Sequence, residues 1–293
     1  MAPCNAIRVF WSYVLLTPIL LNPKKFSFLC LNNLTPPCME ILGIDIGGTG
    51  IKGALVNAET GEMLTERYRV ATPKSKKPAD MAQVVAEIVE HFNYKGPVGC
   101  GFPSIVKNGV CKSAGNLHPS WVGVNIDELF TETTGHEFTV LNDADAAGYA
   151  SMNYGVGKGK AGLVIMITIG TGLGSGAFLN GVLIPNFELG QIPYKKHKKI
   201  EKWAAASAKD REDLSMEKWA KRFNKFLEYV ELIVSPDLII VGGGTSKKWE
   251  EFSHLINIET EVVKAELMNH AGIIGAAVAC LREQHHGHLS AKG

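Results

Sequence analysis

The sequence predicts an α/β fold of two related lobes that hold phosphate between them. The main observation is a stretch that occurs twice, at residues 44–57 (IDIGGTGIKGALVN) and at residues 167–180 (ITIGTGLGSGAFLN). Each copy has an apolar strand, a glycine turn with a threonine, and a second strand that ends in another turn, at 57–61 and at 180–181. A second observation is that apolar strands and helical patterns follow one another along the rest of the chain.

The glycines of these turns suit a phosphate site. Without a Cβ, the chain can take positive φ and bring several backbone N–H groups against an anion, and in the first copy Thr49 and Lys52 add donors. The first turn also matches the dinucleotide-binding pattern, but that pattern needs a helix directly after the glycines, and here a strand follows. The sequence also lacks a Gly-x-x-x-x-Gly-Lys-Ser/Thr loop. A dehydrogenase is therefore disfavoured, and a P-loop protein is excluded.

Composition restricts the compartment more than the function. The 293 residues suffice for two ordinary domains or one large one. The 30 Lys and Arg nearly cancel the 29 Asp and Glu, so no global charge favours nucleic acid. None of the six cysteines stands in a Cys-x-x-Cys spacing, which disfavours a zinc cluster and a disulfide framework. We therefore expect a reducing compartment and a cytoplasmic protein.

Residues 1–38 are excluded from the predicted fold. Their apolar run at 9–21 is interrupted by Pro18 and is shorter than the ~20 residues needed to cross a bilayer. No clear Ala-x-Ala cleavage site follows it, whereas Met39 directly precedes the first predicted strand. An upstream extension or a misassigned start is favoured over a targeting peptide or a membrane tether.

Periodicity and turn residues predict the remaining elements. Strands are expected at 66–72, 98–103, 138–141, 163–169 and 238–241, and helices at 80–92, from 125, from 146, at 215–234, after 246 and at 272–281. A turn-rich segment covers 115–121, and a basic run, more typical of a solvated loop, covers 195–199. A frayed tail with three histidines is expected at 285–293, where a metal role has only weak support.

Two acids, Asp143 and Asp145, follow the strand at 138–141. The carboxyl ends of strands are where α/β sheets bind their ligands, so either acid is a candidate functional group. Either could instead merely cap the helix that follows. A third glycine loop at 242–246 lies at another strand-to-helix junction and is a further candidate for phosphate or nucleotide.

The ordered set of motifs resembles the ROK family of sugar kinases, and within it the polyphosphate glucokinase subgroup. The motifs are Asp45-Ile46-Gly47-Gly48-Thr49, Gly101-Phe102-Pro103, the segments at 115–121 and 142–148, the turn at 170–174, Ser235-Pro236-Asp237-Leu238 and the glycines at 242–244. The similarity covers about residues 40–281. It implies the actin-like ATPase, ribonuclease H-like duplicated two-lobe kinase fold. The expected parts are lobes at 39–141 and 142–271, a terminal helix at 272–284 that returns to the first lobe, and a tail at 285–293.

The resemblance implies a role for each site residue. Asp143 would be the base that accepts the proton of the 6-hydroxyl of glucose or a related hexose, with Asp145 as the alternative. Sugar hydroxyls would bind Asn116, Asn142, Glu188, Gln191 and Glu201. The donor phosphates would lie along Gly47, Gly48, Thr49, Gly50, Lys52, Thr171, Gly172, Gly174, Gly243 and Gly244. Asp45 would lie near Mg²⁺, through water.

Two departures from the family pattern concern the sugar and a metal. The wider family has Glu-x-Gly-His where this chain has Glu188-Leu189-Gly190-Gln191, so binding at the C1–C2 side of the sugar is open to change. The zinc-binding cysteine cluster of many members is absent, as in the polyphosphate subgroup. Glu201 is matched across a divergent basic segment.

The leading functional prediction is phosphoryl transfer from inorganic polyphosphate, or also from ATP, to glucose. A basic track for the polyanion would use the lysines at 52, 158, 160, 195, 196, 198, 199, 247 and 248, which in a kinase restricted to ATP would be solvated surface. The alternatives are an ATP-dependent ROK hexose kinase of other sugar specificity, a non-catalytic sugar-binding ROK protein and a sugar-responsive regulator. The regulator is disfavoured because residues 1–38 lack a basic recognition helix. A homodimer is expected, with no nucleic-acid or membrane partner.

Overall fold

A computed structural model describes residues 39–267 and 270–290, and for residues 284–290 it describes the backbone only. The predictions for residues 1–38 lie outside the described residues. The first half of the described chain contains strands β1 (Glu40–Ile46), β2 (Gly50–Asn57), β3 (Glu62–Met63), β4 (Tyr68–Ala71), β5 (Val98–Phe102), β6 (Val106–Lys107), β7 (Val110–Cys111) and β8 (Phe138–Asn142). The second half contains β9 (Leu163–Ile169), β10 (Leu173–Leu179), β11 (Val182–Ile184), β12 (Leu238–Gly242) and β13 (Val262–Lys264).

Helices connect and cover these strands. They are α1 (Pro78–His91), α2 (Ile126–Thr134), α3 (Asp143–Tyr154), α4 (Glu201–Ala204), α5 (Ala206–Arg211), α6 (Met216–Val234), α7 (Trp249–Phe252) and α8 (Ala271–Ser290). Within the described residues, no helix is long and apolar enough to cross a membrane.

The two main sheets share one arrangement. The first has the order β3-β2-β1-β5-β8, with β4 also paired to β2, and the second has the order β11-β10-β9-β12-β13. In each sheet an antiparallel hairpin, β1–β2 or β9–β10, leads into parallel strands, β5 and β8 or β12 and β13. Each hairpin is one copy of the repeated stretch, so both glycine turns lie at the same relative position of their sheets.

Helices α3 and α8 lie between the sheets, where small residues permit close packing. A Cβ on Gly43 of β1 or on Gly99 of β5 would overlap the backbone of α8, at Ile273 and Ala276. A Cβ on Gly275 of α8 would likewise overlap the carbonyl of Ala146 in α3. Because α3 begins at Asp143, this packing determines where that carboxyl lies.

As its pattern predicts, α6 is a long helix with one apolar face, and the structure packs this face on the second sheet. The hydroxyl of Ser215 accepts a hydrogen bond from the N–H of Lys218 and caps the helix, and Pro236 follows its end. Its buried face contains Trp219, Phe223, Phe226, Leu227 and Val230. The aromatic residues of this stripe are therefore core residues.

Several boundaries differ from the predictions. The strand expected at 66–72 is only four residues long, and β3 and the β6–β7 hairpin were not predicted, because two-residue strands have too little periodicity to detect. After the third glycine loop, a 3₁₀ turn at Gly244–Lys248 and the single-turn helix α7 replace the expected helix. The last helix continues past residue 281 to Ser290, since no proline interrupts the polar segment. The histidine side chains of that segment lie outside the described part.

Candidate active site

A cavity of about 640 Å³ lies between the two sheets, at the glycine turns. Nearly all the predicted site residues line it, and they come from both halves of the chain. From the first half these are Asp45, Gly47, Gly48, Thr49, Lys52 and Asn116. From the second half they are Asn142, Asp143, Thr171, Gly172, Gly174, Glu188, Gln191, Glu201, Gly243 and Gly244. Of the predicted set, Gly50 and the alternative base Asp145 are not among the lining residues.

The first glycine turn is held from outside the cavity by Arg69. The N–H of Gly47 donates to the carbonyl of Gly50 at 3.0 Å, which closes the turn. A guanidinium nitrogen of Arg69 donates to the carbonyl of Thr49 at 2.8 Å, and this guanidinium fills the space that a Cβ on Gly50 would occupy. Gly50 therefore makes room for Arg69. Arg69 carries no sequence signal of its own, because only the pairing of β4 with β2 brings it to the turn.

Asp45 and Lys52 face each other across the first hairpin. They are register partners in the β1–β2 pair, and the Nζ of Lys52 lies 3.4 Å from Oδ2 of Asp45. The cavity therefore has one carboxylate and one ammonium beside the same turn. Asp45 also packs against the start of α8, where a Cβ on Gly272 would lie 2.9 Å from its Cγ.

The second glycine turn is held by residues from α4 and α5. The N–H of Gly170 donates to the carbonyl of Gly172 at 3.0 Å, and the hydroxyl of Ser207 donates to the carbonyl of Thr171. Glu201 accepts from the N–H of Leu173 at 3.4 Å. Its side chain is largely buried and would overlap a Cβ on Gly172. Glu201 thus lies in the cavity despite its divergent surroundings in the sequence.

Asn142 is the N-cap of α3, a role that the sequence had left open for Asp143 or Asp145. Its Oδ1 accepts from the N–H groups of Ala144 and Asp145, at 2.8 and 3.2 Å, and its Nδ2 donates to the carbonyl of Ser104 at 3.1 Å. Asp143 also accepts from the N–H of Ala144, at 2.8 Å. One N–H of the Asn142 amide remains to bind a ligand, so Asn142 both positions the helix and lines the cavity.

Asp143 and Asp145 have similar pKa values and different surroundings. Burial raises the pKa of Asp143 to about 7, and the negative charge of Asp45 adds to the increase. Burial also raises the pKa of Asp145 to about 7, although a hydrogen bond from the backbone N–H of Asn186 lowers this pKa in part. Asp143 lines the cavity, whereas Asp145 is only 1% exposed. Asp143 is therefore the carboxyl that a bound substrate can reach.

Two of the residues predicted to bind sugar, Glu188 and Gln191, lie at the 3₁₀ turn Leu189–Gln191, which Glu188 precedes. Burial and the nearby charge of Glu201 raise the pKa of Glu188, and a hydrogen bond from the Gln191 side chain opposes this increase. The backbone N–H of Gln191 also donates to the carbonyl of Glu188 at 3.1 Å. Asn116 also lines the cavity, and its carbonyl accepts from the Nζ of Lys76 at 3.3 Å.

The third glycine loop closes one side of the cavity. Gly243 has a φ of +82°, and its Cα lies so near the backbone of Ile169 that a Cβ would come within 2.6 Å of it. A residue with a side chain would push β12 away from the second hairpin. Gly243 and Gly244 both line the cavity, beside the end of β9.

The cavity also contains residues that the sequence analysis did not identify: Ser104, Ser113, Thr168 and Lys202. Of the nine lysines proposed as a track, Lys52 and Lys199 line the cavity. Lys160 instead lies 3.9 Å from Glu261, and Lys195 packs over the rings of Tyr194 and Trp203. Within the basic run at 195–199, Lys199 reaches the cavity and Lys195 does not, because the chain folds back on itself between Tyr194 and His197.

The duplicated hairpins and the cavity between two sheets define the class, an α/β protein of the actin-like ATPase fold, and confirm the predicted fold class. The chain belongs to the ROK family, whose model matches residues 41–186. It is 43% identical to the polyphosphate glucokinase of Mycobacterium tuberculosis over 245 residues, which are 83% of this chain and 92% of that protein.

Two solved structures resemble the fold. The inorganic polyphosphate/ATP-glucomannokinase of Arthrobacter sp. strain KM has a TM-score of 0.80 and 41% identity, over 83% of this chain and 99% of that one. A ROK family glucokinase from Streptomyces griseus, in complex with glucose and AMPPNP, has a TM-score of 0.70 and 22% identity, over 83% of this chain and 99% of that one.

Proposed function

We propose that this protein transfers a phosphoryl group from inorganic polyphosphate to the 6-hydroxyl of glucose. The observation that carries the proposal is the position of Asp143, a carboxyl with a raised pKa in a cavity between two glycine turns. The 43% identity to a polyphosphate glucokinase supports the choice of donor and acceptor.

The residues of the cavity form two groups, one that binds the sugar and one that binds the phosphate donor. On the sugar side, Asn116, Glu188, Gln191 and Glu201 offer amide and carboxylate groups that match hydroxyls, which both donate and accept hydrogen bonds. On the phosphate side, the glycine turns present backbone N–H groups to the donor, and Lys52 adds a positive charge. Asp143 accepts the proton of the attacking hydroxyl while these donors stabilise the transferred phosphoryl group.

The cavity fits a magnesium ion bound mainly by phosphate oxygens and water. Mg²⁺ typically binds one or two carboxylates together with substrate phosphates, and Asp45 is the carboxylate beside the first turn. Among the described residues, no group of three or more His, Cys, Asp or Glu side chains forms a metal cage. When bound, Mg²⁺ neutralises charge on the donor phosphates. We expect a chelator to abolish turnover.

The first test is an assay of glucose 6-phosphate formation with Mg²⁺ and glucose, run in parallel with polyphosphate and with ATP. Turnover with polyphosphate is the expected result. Turnover with ATP alone would contradict the proposed donor, and no turnover with either would contradict the kinase and favour a sugar-binding protein.

The Asp143→Asn variant tests the base. It should lower kcat by about 10²- to 10⁴-fold, because the amide cannot accept the proton, while glucose binding measured by calorimetry is retained. Asp210→Asn is the control, since the Asp210 side chain is exposed and, among the described residues, forms an ion pair with Lys209 alone. An unchanged rate in Asp143→Asn would remove this residue from the mechanism.

The Arthrobacter structure supports a second candidate, because that protein is called a polyphosphate/ATP-glucomannokinase at 41% identity. We propose ATP as an alternative donor and mannose as an alternative acceptor. Mannose differs from glucose at C2, the side of the sugar that Gln191 is expected to contact. Comparing kcat/KM for glucose and mannose in wild type and Gln191→His tests this assignment, and equal ratios in both proteins would contradict it.

We also propose a cytoplasmic location and a homodimer. Cys100, Cys111 and Cys280 are buried free thiols, which fits a reducing compartment. Light scattering on the purified chain tests the dimer.

A further inference from the structure

Asn186 lies where the two halves of the cavity meet. It precedes Glu188 by two residues, in the loop after β11. Its Oδ1 accepts from the N–H of Val106 at 3.0 Å, and its Nδ2 donates to the carbonyl of Val106 at 2.7 Å. Val106 begins β6, and the two residues before it line the cavity. These two hydrogen bonds, called here the Asn186 clasp, join the loop of Glu188 to the first half of the chain.

The same loop is bound firmly to the second half. The N–H of Asn186 donates to Oδ2 of Asp145 at 3.0 Å, and Asp145 is on the same turn of α3 as Asp143. The hydroxyl of Ser175, in β10, donates to the carbonyl of Phe187 and accepts from the N–H of Leu189 at 2.8 Å. These hydrogen bonds join the loop to α3 and β10. The Asn186 side chain is the part of it that bonds to β6.

Asparagine suits this position for two reasons. Its amide has a donor and an acceptor side by side, so it can pair with the N–H and the C=O of one residue, as a neighbouring strand would. Its φ is +59°, a left-handed conformation that asparagine adopts more readily than most residues with a side chain. An aspartate would lose the donor to the Val106 carbonyl, and a glycine would keep the backbone conformation but lose both bonds.

Asp145 supplies a second, independent observation. It is almost fully buried, and its Oδ1 has no hydrogen-bond partner within the described residues, so its carboxylate makes a single bond, to the N–H of Asn186. Burying a carboxyl for one bond is unfavourable by itself. The Asp145 carboxylate instead serves to position Asn186, because it binds the backbone N–H of the residue that forms the clasp.

We propose that Asn186 is a positioning residue for the sugar: the clasp holds Glu188 in register with Asp143 and with the wall at Ser104 and Ile105. The inference rests on the proposed function, because it assumes that a hexose occupies this side of the cavity. The clasp touches none of the glycine turns, so it should act on the sugar and leave the phosphate donor unaffected.

The test uses Asn186→Gly and Asn186→Asp in the full chain. Asn180→Gly is the matched control, because Asn180 also has positive φ, at +51°, and its Oδ1 binds a backbone N–H, that of Gly162, far from the cavity lining. We expect Asn186→Gly, which loses both hydrogen bonds, to raise the glucose KM about tenfold and Asn186→Asp, which loses one, to raise it less, with little change in donor KM in either. Asn180→Gly should leave both constants unchanged.

A double-mutant cycle with Asp145→Asn separates positioning from general stability. If Asp145 acts through Asn186, the effects of the two changes on glucose KM will be less than additive. An unchanged glucose KM in Asn186→Gly, or equal increases in donor and glucose KM that follow a lower Tm, would overturn the proposal.

Calorimetric binding of glucose keeps the two proposals distinguishable. A wild-type protein that binds glucose without turnover would contradict the kinase, and weaker binding in Asn186→Gly would still support the clasp. A wild-type protein that binds no hexose would overturn both.

Discussion

Asp143 combines a raised pKa with access to substrate, and this combination suits a general base. Its carboxyl loses solvation by burial and lies near the negative charge of Asp45, so the proton-bound form persists to about pH 7. A base with a pKa near the working pH is both deprotonated enough and basic enough to accept a proton. Asp145, with a similar pKa, is excluded from the cavity and instead positions Asn186.

The pH dependence of turnover follows from this pKa. The active form of Asp143 is the carboxylate, so kcat/KM for glucose should be constant above about pH 8 and fall tenfold per unit well below pH 7. Initial rates between pH 5.5 and 9 would measure it. The residual rate of Asp143→Asn should not show this acid limb, and an identical limb in that variant would assign the titration to another group.

At the scale of elements, α3 and α8 determine the site more than any single loop does. Local patterns predicted α8 only as an apolar helix. The structure shows that Gly275 lets its backbone contact α3 at Ala146, one turn from Asp143. Position 275 requires glycine because of its contact with α3, which is more than 100 residues away in sequence. The residues around Gly275 therefore could not predict this requirement.

Gly275→Ala should therefore destabilise the protein, although alanine is the better helix former. The added Cβ would overlap the Ala146 carbonyl, and the overpacking should cost about 3 kcal/mol. Gly159→Ala is the control: nothing lies within 4 Å of its Cβ, so only the positive φ, +74°, is unfavourable, by about 1–2 kcal/mol. Urea unfolding would measure both. Equal losses would mean that α8 moves away from α3 at little cost.

For the whole molecule, charge is distributed so that few lysines reach the cavity. Lys52, Lys199 and Lys202 line it, whereas Lys160 pairs with Glu261 elsewhere. The net charge of the chain is close to zero, so attraction of polyphosphate must come from this local distribution.

The double variant Lys199→Ala/Lys202→Ala should raise the KM for polyphosphate by about tenfold and make it less sensitive to salt, because two local charges are removed. Lys158→Ala/Lys160→Ala is the matched control and should change neither quantity. Both are measured between 20 and 300 mM KCl. A larger effect in the control pair would locate the polyphosphate path away from Lys199. The glucose KM is followed as well, since Lys199 lies 3.9 Å from Glu201.

The two buried carboxyls also affect global stability. In the unfolded chain an aspartate ionises near pH 4, but folding raises the pKa of Asp143 and Asp145 to about 7. Between these values the folded protein binds more protons, so stability falls as pH rises through this window. The ligand-free protein should have a higher Tm at pH 6 than at pH 8. Asp143→Asn should raise the Tm at pH 8 and reduce the difference, whereas a Tm that rises with pH would contradict the pKa assignments.

The sequence by itself determined the duplicated hairpins, the three glycine loops, the α6 core face and Asp143 as a candidate acid. Each depends on chemistry within a few residues: missing Cβ atoms, apolar periodicity, or an acid directly after a strand. Only the tertiary structure decided that Asn142 caps α3, that Arg69 supports the first turn, that Asp145 binds Asn186, and which lysines reach the cavity. These depend on contacts between distant segments, and local sequence does not encode which segments the fold brings together.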